Sequence, residues 1–332
     1  MSSPLGIAVS GGPRPSEIIE LVVLAESLGY DSAWIAEGHG GDQFSVLSGC
    51  ALQTSRIRLG TAISSIFVRS IPTIAMAAAT VDDLSHGRFI LGIGSSHRVQ
   101  VVPEHGLEYA KPITRLRESV TIIRQLLATG ATQFDGETVK IENFDLWFQP
   151  RRTALPIYAA AVRPKMMAVC GEIADGIILT RSTLQTGTQV KTQLATGAAL
   201  ADRDPSKIEV TSLLPVAVAE TRAEALNAMR PGLMFYVGFF PRYRQMIADY
   251  GFVEETFAVA DAFAKGEREL ALRHVTDAMI EATSIAGTPS ECRERIEAYR
   301  ASGIDLPILS PFARGPNAKA TFEAVIRACA PS

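Results

Sequence analysis

The chain has 332 residues, 47% of them hydrophobic and 20% charged, with a formal net charge of −3 at pH 7. That composition supports a large buried core. It lacks the basic stripe a nucleic-acid binder needs and any run near the roughly 20 apolar residues of a membrane span. Cys50, Cys170, Cys292 and Cys329 are scattered and form no CxxC or Cys/His cluster, so neither a zinc site nor a disulfide framework is expected.

In chain order, an apolar strand is expected over 5–9, broken by Gly11, Gly12 and Pro13, and a helix over 15–28 with Gly29 beyond its end. No basic leader precedes this strand, and a cytoplasmic chain is the expectation. A second strand over 32–36 leads through a glycine-rich loop to a helix near 42–54. Strands over 57–63 and 88–93 follow, each with its helix, over 72–84 and 112–128. The segment 132–146 alternates around Asp135 and Gly136 and is expected to be a hairpin excursion. Further strands are expected over 156–161, 175–180, 207–219 and 305–309, with helices over 164–173, 186–201 and 319–328.

The segment 221–283 is too long for one crossover and is read as a helical insertion, with breaks at Pro231–Gly232, Pro241 and Gly251. Its aromatic residues Phe235, Tyr236, Phe239, Phe240 and Tyr243 fit helix–helix packing better than a substrate wall. A helix over 289–301 precedes the last strand.

Repeated strand–helix units with strands apolar on both faces argue for a parallel sheet. Eight of them in 332 residues predict an α/β fold of the (β/α)8 TIM-barrel type, a single domain over 1–332 with helical insertions. The runner-up is a doubly wound open sheet, but the first strand–helix turn, SGGPRPSE, is not GxGxxG. The charged share lies below the usual quarter, which favours a homodimer that hides surface.

In such a barrel the residues that follow each strand converge on one mouth. They are Ser10, Gly11 and Gly12; Glu37 to Asp42 (EGHGGD); Ser64 and Ser65; Gly94, Ser95, Ser96, His97 and Arg98; Ala160, Ala161, Val162 and Arg163; and Thr180, Arg181 and Ser182. His39, His97 and Glu37 fall in this set and are the candidates for proton transfer. The 94–98 loop offers backbone N–H groups, hydroxyls and a cation, which suits a phosphate. There is no HxH, HExxH or GxSxG motif, so a cofactor carrying the chemistry fits best.

Several stretches resemble the luciferase-like flavin and deazaflavin oxidoreductases. They are SRIRLGTA at 55–62, Arg69 and Pro72, ATVDDLSHGRFILGIG at 79–94, Ala174–Asp175–Gly176, and Gly287–Thr288–Pro289 with Ile296, Tyr299, Gly303 and Asp305. The Gly92–His97 segment (GIGSSH) and AAVRPKM at 160–166 resemble the branch that uses coenzyme F420, a deazaflavin hydride carrier. This resemblance implies a (β/α)8 barrel and a non-prolyl cis peptide at Ala62–Ile63, whose bulge backs the ring. Ser10 and Ala62, Ile63, Ser64 and Ser65 would join the cofactor site. The tail phosphate would lie near the 94–98 and 160–163 loops.

F420 dehydrogenases of the family often carry an acid–His pair directly after the second strand. Here Glu37 matches the acid, Gly38 the histidine, and His39 comes one residue later. The implied function is hydride transfer between F420 and a small organic substrate. The alternatives are an FMN-dependent monooxygenase and a cofactor-binding relative without turnover.

Overall fold

A strand such as FILGI at 89–93 is apolar on both faces and has to be covered on both. The computed structural model, which describes residues 3–9 and 11–331, meets that requirement with a closed parallel barrel. Its strands are β1 (Gly6–Val9), β2 (Ser32–Ile35), β3 (Arg58–Thr61), β4 (Phe89–Gly94), β5 (Ile157–Ala160), β6 (Gly176–Thr180), β7 (Glu209–Val218) and β8 (Leu306–Pro311). Neighbours pair in chain order, and β8 closes on β1 with Gly6 opposite Ile308 and Ile7 opposite Leu309. The expected (β/α)8 fold is therefore the observed one. No helix among the described residues is long and apolar enough to cross a membrane.

The interior is packed rather than open. Trp34, fully buried, sits there with Ala8, Ile90, Tyr158, Ile178 and Ile308. The Trp34 and Tyr158 rings lie 5.9 Å apart, and the indole N–H donates to Ser32 Oγ at 2.9 Å. Gly60 makes room for this tryptophan, because a Cβ there would overlap the indole. At the strand starts, Tyr158 hydrogen-bonds Glu209, and Arg58 reaches Asp31 at 3.0 Å and Glu209 at 3.8 Å. These groups satisfy one another at the amino end of the barrel. The loops that follow the strands lie at the opposite end.

The hairpin forms from Ala131–Asp135 and Lys140–Asp145, paired antiparallel. Glu118 holds its turn, accepting from the N–H groups of Glu137 at 2.6 Å and of Thr138 and Val139 at 3.0 Å. The insertion comprises the helices Arg222–Phe239, Pro241–Asp249, Val253–Ala264, Arg268–Arg273 and Asp277–Thr283. It has its own core around Leu233, Val237, Ile247, Val259 and Met279.

Three local features differ from the sequence reading. The chain forms a helix at Arg98–His105, where a loop was expected, and a short strand at Ile285–Gly287 that pairs with β7. Helix Arg222–Phe239 runs through Pro231 instead of breaking there. A mid-helix proline costs about 3 kcal/mol. Burial of Leu226, Met229, Leu233 and Val237 on both sides of it, at roughly 1.5–3 kcal/mol each, outweighs that cost.

Gly60→Ala should force the new methyl against the Trp34 indole and lower stability by about 1–3 kcal/mol. Urea denaturation of the variant and the parent measures this, and an unchanged midpoint would contradict the packing described.

Candidate active site

The mouth begins where the ladder between β3 and β4 is interrupted. Thr61 Oγ1 donates to the Gly92 carbonyl at 2.7 Å and accepts the Gly92 N–H at 2.8 Å. Gly92 has no space for a Cβ, which would fall on the Thr61 carbonyl. Past this stitch the Ala62–Ile63 peptide is cis, as the resemblance implies. Pairing resumes with Ser64 opposite Ile93 and Ser65 opposite Gly94. Gly94 sits so close to Ile63 and Ala160 that a Cβ would lie 3.1–3.2 Å from both side chains. Three of the expected cofactor residues are thus in one place. Ser10, expected beside them, lies outside the described residues.

The 94–98 loop turns through Ser96 at φ +51°, and His97 is the N-cap of helix Arg98–His105 without a side-chain capping bond. The first-turn N–H groups of that helix therefore have no side-chain cap. Arg98 donates to the Tyr109 carbonyl at 3.2 Å. Ser95 is buried, and Ala161 packs in the main core. Val162 packs against the insertion, and Arg163 pairs with Asp249 of the insertion.

His97 lies inside an aromatic wall built by the insertion, with ring centres 4.7 Å from Phe240 and 4.9 Å from Tyr243. Burial, and secondarily the charge of Arg242, pushes its pKa down to about 4. The imidazole is therefore neutral at pH 7. Phe235, Tyr236, Phe239 and Phe240 are not part of the insertion's own core. They pack on one another and, through His97, against the mouth. The expected helix–helix packing is thus present, between helices Arg222–Phe239 and Pro241–Asp249, and it extends to His97. Periodicity shows that such a face is apolar, but not what it meets.

Glu37 is half-buried, accepts from the Ser65 N–H at 2.6 Å and pairs with Arg69, which also pairs with Asp42. Its carboxylate ties the β2 loop to the bulge after β3. His39 is not brought into the buried mouth. The glycine-rich loop carries it outward, its side chain is 78% exposed, and its ring nitrogen lies 3.2 Å from Glu104.

Six residues carry buried polar atoms with no hydrogen-bond partner among the described residues: Ser64 Oγ, the Tyr109 hydroxyl, Nε and Nη1 of Arg181, Gln43 Oε1, Ser284 Oγ and Arg300 Nε. Ser64 and Arg181 belong to the mouth set expected from the sequence, whereas Tyr109 does not. Arg181 follows β6 directly, and that position, a lone cation immediately after an apolar strand, is what places it in the mouth set.

A family model described as Luciferase-like monooxygenase matches residues 2–306. The chain belongs to this family. It is similar to the 5,10-methylenetetrahydromethanopterin reductase of Archaeoglobus fulgidus, with 31% identity over 316 residues and 93% of each chain covered. The same enzyme of Methanolobus tindarius is 30% identical over 304 residues, with 91% of each covered. Among solved structures, the coenzyme F420 dependent tetrahydromethanopterin reductase from Methanopyrus kandleri superposes with a TM-score of 0.86, at 26% identity and 98% coverage of both chains. In this family member, then, the mouth is built from a cis bulge, a serine-glycine loop and an aromatic roof.

Because His97 binds a proton less readily folded than unfolded, the protein should lose stability as pH falls from about 6.5 towards about 4. His97→Phe should remove that loss, worth on the order of 1–3 kcal/mol near pH 4 and nothing above pH 7. Denaturant titrations of both proteins across this window decide it; parallel pH profiles would sink the assignment.

Proposed function

We propose that this protein is a coenzyme F420-dependent oxidoreductase that transfers a hydride between the deazaflavin and a small organic substrate. The observation that carries the reading is a set of buried polar atoms without partners among the described residues, in Ser64 just after the Ala62–Ile63 peptide, in Tyr109 and in Arg181 directly after β6, in a family of redox enzymes. Such groups are costly to bury without partners, and a polar, anionic cofactor with its substrate supplies them. The residues present therefore fit the cofactor named for the Methanopyrus kandleri structure.

The Ala62, Ile63, Ser64 and Ser65 bulge would back the ring. The 94–98 loop, with the N-terminus of helix Arg98–His105 and the facing 160–163 loop, would hold the phosphate-bearing tail. The bound deazaflavin supplies a carbon that gives or takes hydride.

The chain's own residues handle the proton and exclude water. His97, neutral and half-buried, can accept a proton from a substrate hydroxyl at its free ring nitrogen in the oxidation direction, or orient a carbonyl by donating its N–H. Glu37 acts by positioning, since it holds Ser65 in place. His39 takes the outer role at the rim beside Glu104. The roof of Phe240 and Tyr243 keeps water from the reacting atoms.

The runner-up, FMN with oxygen activation, is favoured by the family model's own description as a monooxygenase. A titration separates the two. F420 should bind saturably, seen as fluorescence quenching, and its absorbance should turn over with a member of a carbonyl, imine or enone panel. Oxygen consumption with reduced FMN and no response to F420 would overturn the reading; F420 binding without turnover by any substrate would leave only a carrier. His97→Ala should cut kcat by about 10²–10⁴-fold, while His39→Ala should stay within a few-fold.

The protein acts in the cytoplasm as a homodimer. The low charged share and Trp147, 95% exposed beside the hairpin, support a second copy covering that surface. Light scattering after size exclusion should give twice the chain mass, and Trp147→Glu should shift it towards the monomer.

A further inference from the structure

Arg181 is only 2% exposed, yet its Nε and Nη1 have no hydrogen-bond partner among the described residues. The titratable groups that act on it are Tyr236 and Tyr243, with no carboxylate among them. Its guanidinium carbon lies 4.3 Å from the centre of the Tyr236 ring. Tyr236 contacts Tyr243 and Phe240, and both of those contact His97. The cation therefore lies beneath the same aromatic wall as the imidazole.

The backbone around it is fixed. Arg181 has φ +50° and donates its N–H to the Leu213 carbonyl at 3.1 Å. Ser182 Oγ meets Ser212 Oγ at 2.8 Å, and the Tyr299 hydroxyl donates to the Ser182 carbonyl at 2.7 Å. Thr183 N–H donates to Thr186 Oγ1 at 2.9 Å. Arginine stays charged when buried, and an uncompensated buried charge is strongly unfavourable. A cation held rigidly without its counter-charge is a preorganised receptor for an anion.

We propose that Arg181 recognises an anionic oxygen of the substrate, a carboxylate, while Tyr236 and Tyr243 pack on the substrate's apolar body. The substrate class is thus a small organic acid with an apolar portion. This deepens the reading of the mouth as an active site and rests on it. A guanidinium matches a carboxylate's two oxygens. In the proposed function the helix N-terminus at His97, after β4, would be the separate seat for the cofactor's phosphate.

The test needs no turnover. Propionate and benzoate, with propionamide and benzamide as neutral matches and sodium chloride as the ionic control, are titrated into the wild-type protein by calorimetry and thermal melting. The acids should bind and raise Tm, and the amides and chloride should not. If acids, amides and chloride act alike in the wild type, the proposal is overturned without any variant.

Arg181→Met should weaken acid binding at least tenfold, with its folding checked by circular dichroism, and Arg181→Lys should recover part of it. Equal acid affinity in a folded Arg181→Met protein overturns the assignment. The titrations are repeated with F420 at saturation. Undiminished acid binding supports the substrate role. If F420 excludes the acids and Arg181→Met loses F420 affinity, the cofactor's phosphate is the partner and the substrate assignment fails. Acid binding in a protein that ignores F420 would retain the anion site while removing the F420 reading.

Discussion

Trp34 fills the barrel interior, and much of the molecule follows from that. A ring of this size inside eight strands requires Gly60 beside it, and the indole reaches Ser32 to satisfy its N–H. Tyr158 lies nearby with its ring tilted to the indole and ties its hydroxyl to Glu209 at the amino end, where Arg58 and Asp31 complete the polar plug. One end of the barrel is thereby closed by groups that satisfy each other. The other end treats its polar atoms differently, because the strands finish there and hand over to loops.

What the mouth does is leave polar groups buried and short of partners. Ser64, Tyr109 and Arg181 carry atoms without partners among the described residues, and His97 is held neutral by desolvation. Each of these lowers stability relative to an apolar filling. The two cores, one between barrel and helices and one inside the insertion, supply the apolar burial that tolerates this. The insertion also decides the chemistry of the mouth. Without Tyr236, Phe240 and Tyr243 above them, Arg181 and His97 would be solvated side chains on strand-end loops.

Much of this architecture was readable in the residues. The apolar runs at 32–36, 88–93 and 175–180 and the turn at Asp135–Gly136 match observed elements to within a residue or two. Helix Arg98–His105 was not readable, since RVQVVPEH has a proline inside and little apolar periodicity. Pro231 misled for the opposite reason: burial on both sides of it prevailed over a local breaker. In the site, Gly94 and Ala160, found by position after a strand, do meet Ile63, which the family resemblance implied. His39 was found by the same rule and does not enter, because glycine-rich loops have no fixed direction in sequence.

The sequence by itself determined the barrel, its order of units and the family, because strand and helix periods and turn residues are local properties that eight repeats reinforce. It also determined which loops share the mouth, since parallel strands all end on one side. Only the tertiary structure decided which side chains in those loops are buried, which keep partners and which are left without. Exposure of His39, neutrality of His97 and isolation of Arg181 depend on what the 221–283 insertion lays over the strand ends, and contacts across such distances in the chain leave no periodic trace.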